Sequence, residues 1–393
     1  MRLEPALARK LYLLGVLVAL GPLGIDMYLP AFTKIQESLG AHAQLTLSSF
    51  FLGLVGGQMF FGALSDRFGR RPPLLWGVAI YLLATLLCAT ATHMQTLILA
   101  RFLQGIGACS GMVLSRAIVR DLATGITAAL AQARLMLIMG AAPIFAPSLG
   151  TLCLHFGSWR TLFFIQGLLA LSVLIWSWFE LEETHPPQHH TGTPHQALHT
   201  AMFSLFGQRT FMLLTLTSNA LMSGMFCYIA TTPGLLMHTF QVSADHYALI
   251  FSINGAAFIA TTQINARLLH RYGIQRIMHR ALVFPGLAAG FLLLMLLSHQ
   301  LNLITLCLGL WVYIASLGFL VPNASAAALS SIGSHIAGTA SSLMGTMQYL
   351  FAALATVVVS LGDSHAPNAL VIGLCLSALI ALSIFRIGRP TVP

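Results

Sequence analysis

"GALSDRFGRRPP", residues 62–73, gathers Asp66, Arg67, Arg70 and Arg71 into one short stretch of a chain that otherwise avoids charge. Only 7% of the 393 residues are Asp, Glu, Lys or Arg and 57% are apolar, giving a mean hydropathy of +0.84. Soluble domains carry about 25% charged residues, so this stretch marks a point where a greasy chain meets water. The apolar runs on either side of it decide the fold. Crossing the hydrocarbon core takes about 20 mostly apolar residues. Twelve such runs are present, at about 11–31, 44–64, 73–92, 95–118, 128–152, 161–180, 209–231, 246–268, 279–298, 302–323, 337–361 and 367–386. Glycine and proline inside them are compatible with membrane helices. The expected fold is therefore all-α and integral to a membrane, with twelve transmembrane helices. The first run has no small-residue cleavage site and reads as an uncleaved span rather than a leader.

The formal charge of +9 is spread unevenly. If the loops alternate between two sides, the side of the N-terminus receives Arg2, Arg9, Lys10, Arg67, Arg70, Arg71, Arg116, Arg120, Arg209, Arg267, Arg271, Arg276, Arg280, Arg386 and Arg389. The other side receives only Lys34 and Arg160, while Arg101 and Arg134 fall inside helices. That bias puts both termini in the cytoplasm. It also turns the basic charge into a topology signal and an attraction to anionic lipid headgroups, with no nucleic-acid partner expected. The six cysteines fall within spans or at their ends and have no zinc-site spacing, so they read as small apolar residues and no metal is expected.

One polar, proline-containing segment interrupts the rhythm: "EETHPPQHHTGTPHQALHTAMFSLFG", residues 182–207. It divides the chain into an N-terminal six-helix half (1–181), a cytoplasmic linker (182–207) and a C-terminal six-helix half (208–393). The linker histidines, His185, His189, His190, His195 and His199, are of a type that binds metal. Without cysteines and with few carboxylates, a solvated linker is the better reading. The halves resemble each other faintly: "ARLLHRYG" after the eighth run matches "GALSDRFG" after the second, with Arg271, Tyr272 and Gly273 answering Arg67, Phe68 and Gly69 and His270 answering Asp66. Two such halves with cargo bound near the midplane are a recurring transporter architecture.

The opening stretch falls in the tight cytoplasmic loop between the second and third spans. Gly62 is expected to allow close helix approach, Gly69 a turn that a side chain would obstruct, and Pro72 and Pro73 the first turn of the next helix. An ordinary positive loop accounts for Arg70 and Arg71 but not for an aspartate beside arginine. Here the chain resembles the major facilitator superfamily, whose signature loop reads G-x-x-x-D-R-x-G-R-R/K. That resemblance implies a latch holding the two halves together on the cytoplasmic side, carried by Gly62, Asp66, Arg67, Gly69, Arg70 and Arg71. "LILARFLQGIGA" (97–108) is similar to the family's fourth-span motif, with Arg101, Gln104, Gly105 and Gly107. "GAAPIFAPSLG" (140–150) resembles the fifth-span motif of the antiporter branches through Gly140, Pro143, Pro147 and Gly150, without the usual Gly-Pro pair. Pro143 and Pro147 share a helix face and bend it; the same residues serve a plain kink or the family's seal against leak. "GPLGIDMYLPAF" (21–32), "SRAIVRD" (115–121) and "WRTLFF" (159–164) look like the bicyclomycin/chloramphenicol-resistance (Bcr/CflA) branch of drug:proton antiporters.

The resemblance implies a proton-coupled exporter of lipophilic small molecules in the bacterial inner membrane. The proton gradient would be the energy source, with no cofactor, a small-molecule substrate, membrane lipids as surroundings and a monomer as the working form. An exporter of a specific metabolite or siderophore is the alternative within transport. A membrane enzyme or sensor is the alternative outside it, disfavoured because no catalytic cluster of polar groups is found. The absence of a G-x-x-x-x-G-K-[ST] loop argues against direct ATP coupling. Asp26 is the one carboxylate deep in a span, and Arg101 lies at a similar depth, about 22–26 Å from the cytoplasmic side at 1.5 Å per residue. The two would pair if their helices are neighbours, either as a structural ion pair or as a proton-coupling centre. Gln58, Asn219, Tyr228, Asn254, Gln263, Asn323 and Gln348 are candidates for a mostly apolar cargo cavity or, individually, for helix-packing hydrogen bonds.

Overall fold

The computed structural model describes residues 5–40, 43–123, 125–184, 203–332, 336–362 and 366–388. Among them all regular structure is helical, and twelve segments, from Ala8–Leu39 to Pro367–Arg386, are long and apolar enough to cross a membrane. They coincide with the twelve runs of the sequence. The chain divides into two compact units, Met1–His190 and Thr191–Pro393. Of the expected linker, only 182–184 and 203–207 are among the described residues, and its five histidines lie outside them.

The first unit contains α1 (Pro5–Asp26), α2 (Phe32–Leu39), α3 (Gln44–Phe68), α4 (Arg71–Thr90), α5 (Met94–Leu122), α6 (Gly125–His155) and α7 (Trp159–Glu180). The second contains α8 (Arg209–Gly234), α9 (Ala244–Tyr272), α10 (Ile274–Ala281), α11 (Val283–Leu297), α12 (Leu303–Ser330), α13 (Ala337–Ser360) and α14 (Pro367–Gly388). The first span is not the single helix that its hydropathy predicts. It stops at Asp26, passes through a turn and a 3-10 segment at Leu29–Ala31, and resumes as α2. Pro30 accounts for the break. It has no N–H to give the carbonyl four residues back, that of Asp26, and its ring would crowd that carbonyl.

Both units pair their spans in the same way. The second and third spans pack on the fourth, the third on the sixth, and the first on the fourth, fifth and sixth; the eighth, ninth, tenth, eleventh, twelfth and seventh repeat the pattern. The repeat extends to the backbone, since the turns after α3 and α9 are made by Gly69 (φ 86°) and Gly273 (φ 72°). In the first unit α3 and α5 meet backbone to backbone. A Cβ on Gly53 would strike the carbonyl of Phe102, and one on Gly105 the carbonyl of Phe50. Gly62 has no such role: nothing lies within 4 Å of where its Cβ would stand, so the close approach expected there is made nine residues earlier, at Gly53. Sequence spacing cannot tell these glycines apart, because the register of the neighbouring helix decides which one faces it.

The second unit is held by neutral hydrogen bonds. Asn265 on α9 and Asn323 on α12 exchange amide bonds in both directions (3.1 and 3.0 Å), and Asn323 also donates to the carbonyl of Phe319 at 2.8 Å. Tyr313 on α12 bonds to Ser377 on α14 (2.6 Å) and donates to the carbonyl of Leu221 on α8 (3.3 Å). Stranding one partner of a buried hydrogen bond costs about 1–3 kcal/mol, whereas replacing both by apolar groups is nearly neutral. Asn323→Leu is therefore expected to lower the melting temperature of the purified protein in detergent, and Asn265→Leu added to it to restore part of the loss. Additive losses in the double variant would mean that the pair is not a coupled unit.

Candidate functional site

Arg101 is fully buried on α5. A guanidinium in an apolar interior is stable only if its charge and its flat array of donors are met locally. Its Nη2 donates to the carbonyl of Gly24 at 2.8 Å and its Nη1 to Oε1 of Gln104 at 2.5 Å. Its carbon centre lies 4.1 Å from the ring centroid of Tyr28, 4.4 Å from that of Phe50 and 5.9 Å from that of Phe163. Aromatic faces attract a cation, most strongly when it is desolvated. The Gly24 carbonyl is free to accept because α1 ends two residues later, leaving its last carbonyls without helical donors. Arg101 thus caps a helix C-terminus, the end at which a positive charge is favourable.

Gln104 carries the network onward. Its Nε2 donates to Oγ1 of Thr85 on α4 at 2.8 Å and to Oε1 of Gln166 on α7 at 3.3 Å. Gln166 in turn donates to the carbonyl of Leu23 (3.2 Å), and Tyr81 of α4 to that of Leu20 (3.3 Å). Four helices are tied at one depth through the last turns of α1. The sequence reading assigned no role to Tyr81, Thr85, Gln166 or the three cage aromatics. Gln166, a polar residue amid "LFFIQGLLAL", is the one the composition of its span should have flagged.

The expected ion pair is absent. Asp26 and Arg101 share the neighbourhood, since α1 packs on α5, but no ion pair links them among the described residues. The two helices are neighbours, but the guanidinium turns to a carbonyl two residues before the carboxyl. Asp26 is itself buried, and its Oδ1 has no hydrogen-bond partner. It is the last residue of α1 and the only buried carboxyl among the described residues. Of the fifth-span residues, Gly150 lies beside the residue that follows Asp26. Pro143 and Pro147 are inside α6, Gly140 is half-buried, and a Cβ on buried Gly150 would strike the carbonyl of Met27, the residue after Asp26. Gly150 therefore seats α6 against the break in the first span.

At the other end of α3, Arg70 is the hub of the charged loop. It binds Oδ1 of Asp66 (2.8 Å), Oγ of Ser65 (2.7 Å) and Oδ2 of Asp121 on α5 (3.1 Å). Its burial works against the charge, but the hydrogen bonds to Asp66 and Asp121 outweigh that and hold its pKa above the usual arginine value. Arg71 donates to the carbonyl of Trp178 (2.8 Å), lies over that indole, and opens α4 with Pro72 and Pro73 behind it. Arg67 lies over its neighbour Phe68 and has no acidic partner among the described residues.

The candidate cargo residues differ in burial and in partners. Gln58 belongs to the first unit and is half-buried; Gln263 is exposed and Gln348 half-buried. Asn254 donates to the hydroxyl of Tyr228 at 3.1 Å, and that ring stacks on Phe251. Asn219 is buried with its Nδ2 unpartnered. Asn323 is committed to Asn265, a packing bond rather than an open contact.

A family model described as "Major Facilitator Superfamily" matches residues 14–356. The chain is 35% identical over 363 residues, 90% of this chain and 89% of the other, to the "Uncharacterized MFS-type transporter YdgK" of Bacillus subtilis. It is 27% identical over 381 residues, 96% of this chain and 95% of the other, to the "Bicyclomycin resistance protein homolog" of Haemophilus influenzae. Among solved structures, that of a D-xylose-proton symporter superposes with a TM-score of 0.76 at 17% identity, covering 96% of this chain and 98% of the other.

If the guanidinium is the capping group of α1, lysine cannot replace it, because one ammonium cannot lie flat between rings while reaching both Gly24 and Gln104. Arg101→Lys is expected to melt well below the wild type in detergent, Arg101→Ala lower still, and Gln104→Leu between Arg101→Lys and the wild type. Equal melting temperatures for Arg101→Lys and the wild type would show that planar bonding is not what holds the site.

Proposed function

The chain belongs to the Major Facilitator Superfamily, and on that premise we propose that it is a proton-coupled exporter of lipophilic small molecules, including drugs, across the bacterial inner membrane, with both termini cytoplasmic. It is a multi-pass membrane transporter rather than an enzyme. The observation that carries the finer reading is the Asp26 carboxyl, buried at a helix break with an oxygen left unpartnered. An ionisable group in a membrane span is costly and is kept for function more often than for packing. With Arg101 consumed by its own network, Asp26 acts as a single proton carrier and not as half of an ion pair. Gain or loss of its proton changes the charge at the joint between α1 and α2, where the apolar surroundings make that change large.

Exchange then requires that protonation and cargo oppose each other. In the general scheme of two-half transporters, the site faces one side of the membrane at a time. A proton arriving from outside and cargo arriving from inside each favour the state in which the other is absent, and the proton gradient drives the cycle. Neutral hydrogen-bonding groups in otherwise apolar spans suit lipophilic cargo with few polar anchors. The name of the Haemophilus relative and the branch motifs "GPLGIDMYLPAF" and "WRTLFF" support drugs as that cargo. The positive-inside distribution of arginine supports the orientation. The arrangement needs no cofactor and no second copy of the chain.

Proteoliposomes with an imposed pH gradient test this, with chloramphenicol and ethidium as probes. Asp26→Asn is expected to fold and bind the probes, yet to lose gradient-driven export. A variant that exports with the wild-type dependence on pH would remove Asp26 from the coupling step. Export of hydrophilic metabolites alone would replace the cargo class.

A further inference from the structure

Beyond the end of α7 the chain runs through Leu181, Glu182, Glu183 and Thr184, the last described residues before 203. This short stretch is fastened at every polar position. Glu180 accepts from Nε of Arg9 (2.7 Å), Glu182 from Nζ of Lys10 (3.0 Å), and Thr184 donates to Oδ2 of Asp121 (3.2 Å). Leu181 is buried beneath them. Glu183 does something different. Its two carboxylate oxygens accept the backbone N–H groups of Arg70 (2.7 Å) and Arg71 (3.1 Å).

Those are the opening N–H groups of α4, which have no acceptor within the helix and form the positive end of its dipole. None of Arg70, Arg71, Pro72 or Pro73 can supply the side-chain oxygen that usually caps such an end. The cap comes instead from 113 residues along the chain. Gly69 makes room for it twice over, by its φ of 86° and because a Cβ there would strike the Glu183 carboxylate. The glycine of the signature loop is thus fitted to Glu183 as well as to the turn.

We propose that Glu183 is a positioning residue for the signature loop: it fixes the Gly69–Arg71 turn from which Arg70 reaches Asp66 and Asp121. The loop then has its working geometry only while the root of the segment joining the halves is docked on it. Its effect on turnover rests on the transport reading, whereas the docking itself does not. Removing the carboxylate strands two helix-opening donors and frees the turn without touching Asp26 or Arg101.

Hydrogen–deuterium exchange of the purified full-length protein in lipid nanodiscs tests the docking. Glu183→Ala is expected to raise exchange at the Arg70 and Arg71 amides by about tenfold or more, the scale of a lost charge-assisted hydrogen bond. Glu183→Gln, which keeps one acceptor and serves if the alanine variant does not fold, should fall between that and the wild type. Glu182→Ala, at an exposed side chain paired with Lys10, should leave those amides protected. In proteoliposomes Glu183→Ala should lower ethidium turnover while leaving ethidium affinity within twofold of the wild type. Unchanged exchange at residues 70 and 71 in both Glu183 variants would overturn the docking. Affinity and turnover falling together would overturn the positioning role. Should the wild type move no ethidium, the transport reading fails and the exchange result still decides the docking.

Discussion

A whole positive charge held in the apolar interior is the constraint around which the first unit is arranged. Among the described residues Arg101 has no carboxylate to neutralise it, so its stability depends on one backbone carbonyl, one amide and three ring faces. Each of those requires something else of the chain. The Gly24 carbonyl is available only because the first span breaks ahead of Pro30. Phe50 reaches the guanidinium because α3 and α5 touch through Gly53 and Gly105, where the Phe50 carbonyl itself fills the space of a missing Cβ. Phe163 and Gln166 bring in α7, and Trp159, which packs edge-on against Phe163, donates to Ser38 on α2. A helix break, two glycines and the register of the sixth span are thus consequences of one buried cation.

The second unit uses the same helix pairings without that charge. There the tenth span also reaches a carbonyl of the span that opens its unit, but through the Tyr313 hydroxyl rather than a guanidinium. Other polar links there join amide to amide, amide to phenol and phenol to hydroxyl. Neutral pairs satisfy the backbone and fix the packing, and they have no proton to exchange near neutral pH. The fold is repeated and, among the described residues, the buried charge is not.

Fold and site were legible in the sequence to different degrees, for physical reasons. A span must be apolar over its whole length to enter the bilayer, so twelve of them can be read from composition alone. The two glycine turns, at Gly69 and Gly273, are local and just as readable. The break after Asp26 was available in the four-residue interval to Pro30, which hydropathy ignores. Side-chain partners were not available. Asp26 and Arg101 lie on packed helices, but which acceptor a guanidinium finds is settled over a few ångströms by rotamers. The sequence leaves Asn323 either a cargo contact or a packing bond, and it is the placement of Asn265, on another helix, that makes it a packing bond. Glu183 caps a helix from across the unit, and no spacing rule connects residues 70 and 183.

Separating the two central residues changes what a proton can do. Were Arg101 and Asp26 paired, protonation would release the guanidinium and unsettle the whole network. As the residues stand, the guanidinium is held by groups that do not titrate near neutrality, and the end of α1 stays capped whichever form Asp26 takes. The carboxyl instead marks a mechanical boundary. On its N-terminal side the helix is fastened to α4, α5 and α7 through the Leu20, Leu23 and Gly24 carbonyls. On its C-terminal side Met27 and the 3-10 segment rest against α6 at Gly150. On the coupling role proposed for it, a change of charge at Asp26 would act at the joint between a fastened piece and a piece resting on a helix that contains two prolines. The proposed coupling would use that combination: an ionisable carboxyl next to a break in its helix, and a permanent charge kept out of the reaction.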